Sequence, residues 1–162
     1  MGVMQEFLMW GNCTNQCDFC WQCKKRDETI FLNKEEMISC IEDTLIRLDE
    51  INDGDDVLIV GGEILATYHE EVNPYLHKLI DKCVKMLSDN KIRFLYVNTN
   101  LIYKDRTNLV YLFEAIRGYE DRLFLAQKSK KLPIKKSEGI NYLFPSFVPR
   151  KFNIRQRKLS KD

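Results

Sequence analysis

Four cysteines, Cys13, Cys17, Cys20 and Cys23, fall within eleven residues of the stretch WGNCTNQCDFCWQC (residues 10–23), directly after the apolar run FLMW. Thiols crowded this closely in a reducing compartment point to metal or redox chemistry rather than to a disulfide framework, which spreads its cysteines along the chain. The first three follow C-x3-C-x2-C, positions i, i+4 and i+7, a spacing that would also set three buried thiols on one face of a helix. The residues between them oppose the helix, because Gly11, Asn12, Thr14, Asn15 and Asp18 favour caps and turns. A loop leaving the carboxyl end of a strand is the better assignment, and such a loop can wrap three thiolates around an iron–sulfur cluster. Adding Cys23 gives the alternative of a closed four-thiolate zinc site, although zinc ligands usually come as two separated pairs. Cys40 and Cys83 sit in apolar, helix-like surroundings and read as small buried hydrophobes.

The elements that would position this loop alternate in kind. Residues 6–10, 56–60, 93–97 and 122–126 are short continuous apolar runs, the pattern of strands buried on both faces. Between them, residues 34–50 carry Met37, Ile38, Ile41, Leu45, Ile46 and Leu48 at helical spacing, with Asn33 as N-cap. Residues 74–89 repeat the pattern behind Asn73 and Pro74, and a third helix is expected over 106–117, ending at Gly118. This order implies βαβ units, right-handed crossovers and a parallel α/β sheet of about four strands, with functional loops gathered at the strands' carboxyl ends. From residue 127 the pattern gives way to Lys clusters, Pro133, Pro145 and Pro149 and one apolar patch over 142–148, so an irregular basic tail (127–162) is expected to follow a core of residues 1–126. That apolar patch is expected to pack across the open side of the sheet.

The cysteine loop, with Phe19 in the aromatic place of C-x3-C-x-aromatic-C, resembles the radical S-adenosylmethionine (radical SAM) superfamily. A second match is the run VLIVGGEIL, where Gly61, Gly62 and Glu63 end the second strand one βα unit later and resemble the family's GGE motif. The resemblance covers about residues 6–125 and implies a partial (β/α) barrel, here a short or truncated member. It also implies a [4Fe–4S] cluster on Cys13, Cys17 and Cys20, the fourth iron being left for the methionine moiety of S-adenosylmethionine. The reaction implied is reductive cleavage of that cofactor to a 5′-deoxyadenosyl radical, which abstracts hydrogen from a substrate. An external electron donor such as flavodoxin or ferredoxin is implied as a partner. Phe19, Gly61, Gly62, Glu63, Asn98 and Asn100 are the expected cofactor-binding residues, Asn98 and Asn100 because the family uses the end of the third strand for cofactor or substrate. Loop capping is the alternative for those two. The fourth strand often gives a polar contact in the family, for which only Gln127 or Ser129 is available. Cys23 is then a bystander thiol, no residue is assigned a catalytic role, and the substrate is not readable. The competing readings are a zinc-binding module and an inactive cluster-bearing fragment that binds a partner.

Length and composition allow this. The chain has 162 residues, 44% of them hydrophobic, enough for one domain with its own core. Residues 126–162 hold 11 of the 25 Lys and Arg but 2 of the 24 acids, a net +9 that leaves −8 on the rest. Such a tail suits an acidic partner or nucleic acid, or is simply solvated. No segment has the length or flanks of a signal peptide or membrane span, so a cytoplasmic location is expected. His69 and His77 read as surface or capping groups, and Trp10 and Trp21 as shields for the loop or as core.

Overall fold

The computed structural model describes residues 2–14, 31–101, 104–127 and 141–143. Cys17, Phe19, Cys20, Trp21, Cys23, Ser129 and most of the 142–148 patch lie outside the described residues. Four strands, β1 (Met4–Leu8), β2 (Asp55–Val60), β3 (Ile92–Thr99) and β4 (Leu123–Gln127), form an all-parallel sheet in sequence order. A short β5 (Asn141–Leu143) extends it, parallel to β4. Parallel neighbours require a crossover, and helices α1 (Lys34–Asp49), α2 (Asn73–Ser88) and α3 (Thr107–Ala115) supply the first three. A strand order without reversal, joined by crossovers of one hand, places these helices on one face of the sheet and creates no switch-point crevice.

The burial pattern follows from that arrangement. Phe7, Val57, Ile59, Leu95, Val97, Leu123 and Leu125 alternate along the strands and are buried with Met37, Ile41 and Leu48 of α1 and Leu76, Leu79, Ile80 and Leu87 of α2. The intervening residues form the second face, where Leu58, Val60, Phe94, Tyr96 and Phe124 are half-buried and Leu8 is exposed. The continuous apolar runs thus overstate burial: helices cover one face, and an aromatic group occupies the other. Tyr96 stacks on Phe124 at 4.8 Å between ring centroids, and Phe94 meets Phe124 edge-on at 5.4 Å.

Local chemistry explains most of the boundaries. Asn33 caps α1 in a capping box, its side chain accepting from the Glu36 N–H while Glu36 accepts from the Asn33 N–H. Pro74 stands in the first turn of α2, and Gly118 adopts φ 91° shortly after α3, a left-handed conformation that suits glycine. Asn73 opens α2 without capping it, accepting instead from the Asn108 side chain. Two expectations are corrected. β1 begins earlier than the apolar run, and Met9 and Trp10 are buried beyond its end, the Met9 N–H still donating to the Val60 carbonyl. The region expected to be irregular also contributes β5, a strand too short to stand out among lysines and prolines. No described helix is long and apolar enough to cross a membrane.

Candidate functional site

Parallel strands send their following loops to one end of the sheet, and all the predicted site residues that are described except Asn98 collect there. After β1 the chain runs on beside the loop that follows β2: the Gly62 N–H donates to the Trp10 carbonyl at 2.6 Å, and the Glu63 N–H to the Asn12 carbonyl at 2.8 Å. This contact explains the glycine pair. A Cβ on Gly61 would lie 2.7 Å from the Trp10 oxygen, and one on Gly62 2.0 Å from the Asn12 oxygen, neither of which backbone can yield cheaply. The close approach that two glycines permit is made here to the chain's own backbone, immediately before Cys13.

Asn12 then fastens the cysteine-bearing segment at its base. Its Oδ1 accepts from the Leu32 N–H at 2.9 Å, and its Nδ2 donates to the Leu32 carbonyl at 3.2 Å. The residues at the two ends of the stretch that holds Cys13, Cys17, Cys20 and Cys23 are therefore joined by a pair of hydrogen bonds. The sequence signalled Asn12 only as a turn former, since nothing local announces a partner twenty positions away.

Glu63 is fully buried and its carboxylate ties the β2 loop to the end of β3. It accepts from the Leu65 N–H at 3.1 Å, from the Thr99 hydroxyl, 2.9 and 3.0 Å from its two oxygens, and from the Asn100 N–H. Several charge-assisted bonds offset the cost of burying this carboxylate. Asn100, itself buried, turns its carboxamide to the cysteine segment, with Nδ2 3.4 Å from Cys13 Sγ and 3.3 Å from Thr14 Oγ1. Leu101 follows at φ 57°, a strained conformation for a branched residue, and returns its N–H to Thr99 Oγ1.

Two buried polar atoms have no hydrogen-bond partner among the described residues, Trp10 Nε1 and Tyr68 OH. Burial, reinforced by the nearby Cys13 and Glu63, pushes the Tyr68 phenol well above its usual range. The structure thus brings together Cys13, Gly61, Gly62, Glu63 and Asn100 and adds Asn12, Thr14, Tyr68 and Thr99. Asn98 stays half-buried in β3, outside the group. Trp10 belongs to the core. Cys83 is buried, which raises its thiol to about 12. Cys40, half-buried and also raised by burial, donates towards the Met9 carbonyl. His69 is exposed, and His77 stacks on Tyr111 and pairs with Asn108.

The fit to a metal group can be tested on these residues. Among the described residues no three potential ligands converge. Cys13 nevertheless stands exposed at the start of the closed segment, with an amide donor on its sulfur. The buried Tyr68 hydroxyl, without a partner among the described residues, lies near enough to Cys13 and Glu63 to feel their charge. Sulfur ligation beside oriented polar donors suits an iron–sulfur cluster and a polar cofactor. No family model, characterised protein or solved structure matches the chain.

Proposed function

We propose that this chain is a radical SAM protein in which Cys13, Cys17 and Cys20 hold a [4Fe–4S] cluster and the Gly61–Glu63 turn receives S-adenosylmethionine. The observation that carries the reading is the junction at the carboxyl end of the sheet. There the GGE turn is hydrogen-bonded to the backbone just before Cys13, and Asn100 reaches the Cys13 sulfur. Bound there, the cluster would supply the electron for reductive cleavage of S-adenosylmethionine to a 5′-deoxyadenosyl radical. The chain's own residues do the placing. Asn12 closes the segment, the glycines admit it against β2, and Glu63 joins that turn to β3. The Tyr68 hydroxyl is the donor left for a ligand's carboxylate. The parallel sheet with unreversed order is read as the opening part of a (β/α) barrel, whose interior is the face that bears Tyr96 and Phe124.

Anaerobic reconstitution with iron and sulfide, followed by assay for 5′-deoxyadenosine, tests the proposal. Cys13→Ala, Cys17→Ala and Cys20→Ala are each expected to abolish the cluster, while Cys23→Ala keeps it. Stoichiometric zinc with no iron after anaerobic purification would overturn it in favour of a structural zinc module.

A further inference from the structure

We infer that Asn100 sets the reduction potential of the cluster by donating an N–H···S hydrogen bond to the Cys13 sulfur, an inference that rests on the cluster reading above. The contact is direct, with Asn100 Nδ2 3.4 Å from Cys13 Sγ. The donor is buried, Asn100 being 1% exposed, while the Cys13 sulfur it reaches is exposed.

The surroundings hold the carboxamide at the sulfur. The Asn100 N–H is given to the buried Glu63 carboxylate, and the preceding Thr99 hydroxyl is given to the same carboxylate. The following Leu101 is held at φ 57° with its N–H on Thr99 Oγ1 at 3.2 Å. Thr14 Oγ1, 3.3 Å from the same Nδ2, ties the amide to the residue after Cys13. Three consecutive residues at the end of β3 are thus committed, and the amide they present is shared between the Cys13 sulfur and the Thr14 hydroxyl.

The consequence follows from charge. Reduction adds one electron to a cluster whose negative charge is spread over its sulfurs, so an N–H dipole aimed at one of them favours the reduced form. Removing the donor lowers the potential while leaving the three thiolate ligands in place. Asn100 is a positioning and tuning residue in this account, distinct from the ligands.

The test uses the full chain, reconstituted as wild type, Asn100→Leu and Asn100→Asp, with a potentiometric titration followed by electron paramagnetic resonance of the reduced cluster. Iron and sulfide contents and circular dichroism are measured alongside. At the wild-type midpoint, the ratio of reduced to oxidised cluster should fall about fivefold in Asn100→Leu, the factor that an ordinary net hydrogen bond represents. It should fall further in Asn100→Asp, which puts a carboxylate beside the sulfur. Should Asn100→Leu lose the cluster, the Asp variant carries the comparison alone. Full cluster content with an unchanged potential in the variants overturns the inference and leaves the cluster reading standing. A wild-type chain that takes up no iron removes the cluster reading itself.

Discussion

The two ends of the sheet are built on different principles. At the amino ends of the strands, charges are met. Asp55 accepts from the Val3 N–H and the Gln5 side chain, both at 2.8 Å, and Asp56 receives the Arg93 guanidinium through Nε and Nη2 at 3.1 and 2.8 Å. Arg122 donates to the carbonyls of Leu87, Ile92 and Arg93. At the carboxyl ends, two glycines stand where side chains would collide, a leucine holds a positive φ, and a tyrosine hydroxyl is buried without a partner among the described residues. Both ends bend local rules, since a Cβ on Gly2 would lie 1.7 Å from the Gly54 oxygen and Asn90 adopts φ 56° just before β3; what sets the carboxyl end apart is a buried hydroxyl with no partner among the described residues, and such features collect where a chain binds or reacts.

That contrast can be broken most severely at Gly62. Gly62→Val should cost roughly 3 kcal/mol or more in denaturant unfolding, and it should also displace the backbone before Cys13, so iron uptake falls together with stability. A variant of native stability with full iron content would show that the two loops do not pack as described. At the opposite end, Asp55→Asn should cost about 2 kcal/mol near neutral pH, the scale of bonds to a buried charged acceptor, without changing iron uptake. Burial opposes ionisation of Asp55, yet the Val3, Gln5 and Asn52 donors hold its carboxyl below the usual range. A depressed folded value contributes stability that is complete above the ordinary aspartate range, about 3.9. That contribution is lost as pH falls through the lower folded value. Wild type and variant should therefore converge in urea titrations taken towards acid, and a gap constant with pH would contradict the assignment.

Arg93→Met should cost roughly 1 kcal/mol, since a half-exposed guanidinium is screened by solvent, and a calorimetric melt would register it with cluster content intact. The smallest effect is expected at Tyr68. Tyr68→Phe removes a buried hydroxyl with no partner among the described residues, so the metal-free chain should gain up to ~1 kcal/mol, whereas on the proposed function affinity for S-adenosylmethionine, read by calorimetry on the reconstituted protein, should weaken. A loss of stability in the metal-free chain would mean that the hydroxyl already serves the fold.

Much of the architecture was legible because it depends on local pattern. Short apolar runs alternating with amphipathic stretches gave the parallel sheet and its helices, and Asn33 with Glu36 marked the start of α1. The same runs misled about the second face, since continuous hydrophobicity cannot tell a helix-covered face from one that carries half-buried aromatics such as Tyr96 and Phe124. β5 escaped because three residues among lysines and prolines have no periodicity, and their hydrogen bonds come from β4. At the site, the cysteine spacing drew attention to Cys13, and the resemblance it carries drew attention to Gly61, Gly62, Glu63 and Asn100. What these residues do to one another was hidden, because the bonds from Asn12 to Leu32, Glu63 to Thr99 and Asn100 to Cys13 join positions far apart in sequence. The glycines show this most clearly: the need for a bare backbone was readable, but not that the neighbour is the chain itself.

The amide clasp between Asn12 and Leu32 has a kinetic and thermodynamic meaning of its own. Bringing together points twenty positions apart costs roughly 2.5 kcal/mol in chain entropy, beyond a constant for closure itself, and the two Asn12–Leu32 hydrogen bonds, with the packing around them, go to offset it. On the cluster proposal, closing the segment ahead of ligation would make metal capture resemble chelation by a ready-made ligand rather than folding driven by metal. Affinity for the metal and stability of the domain would then be separately adjustable quantities. A chelator that strips the site should leave a folded protein able to reload.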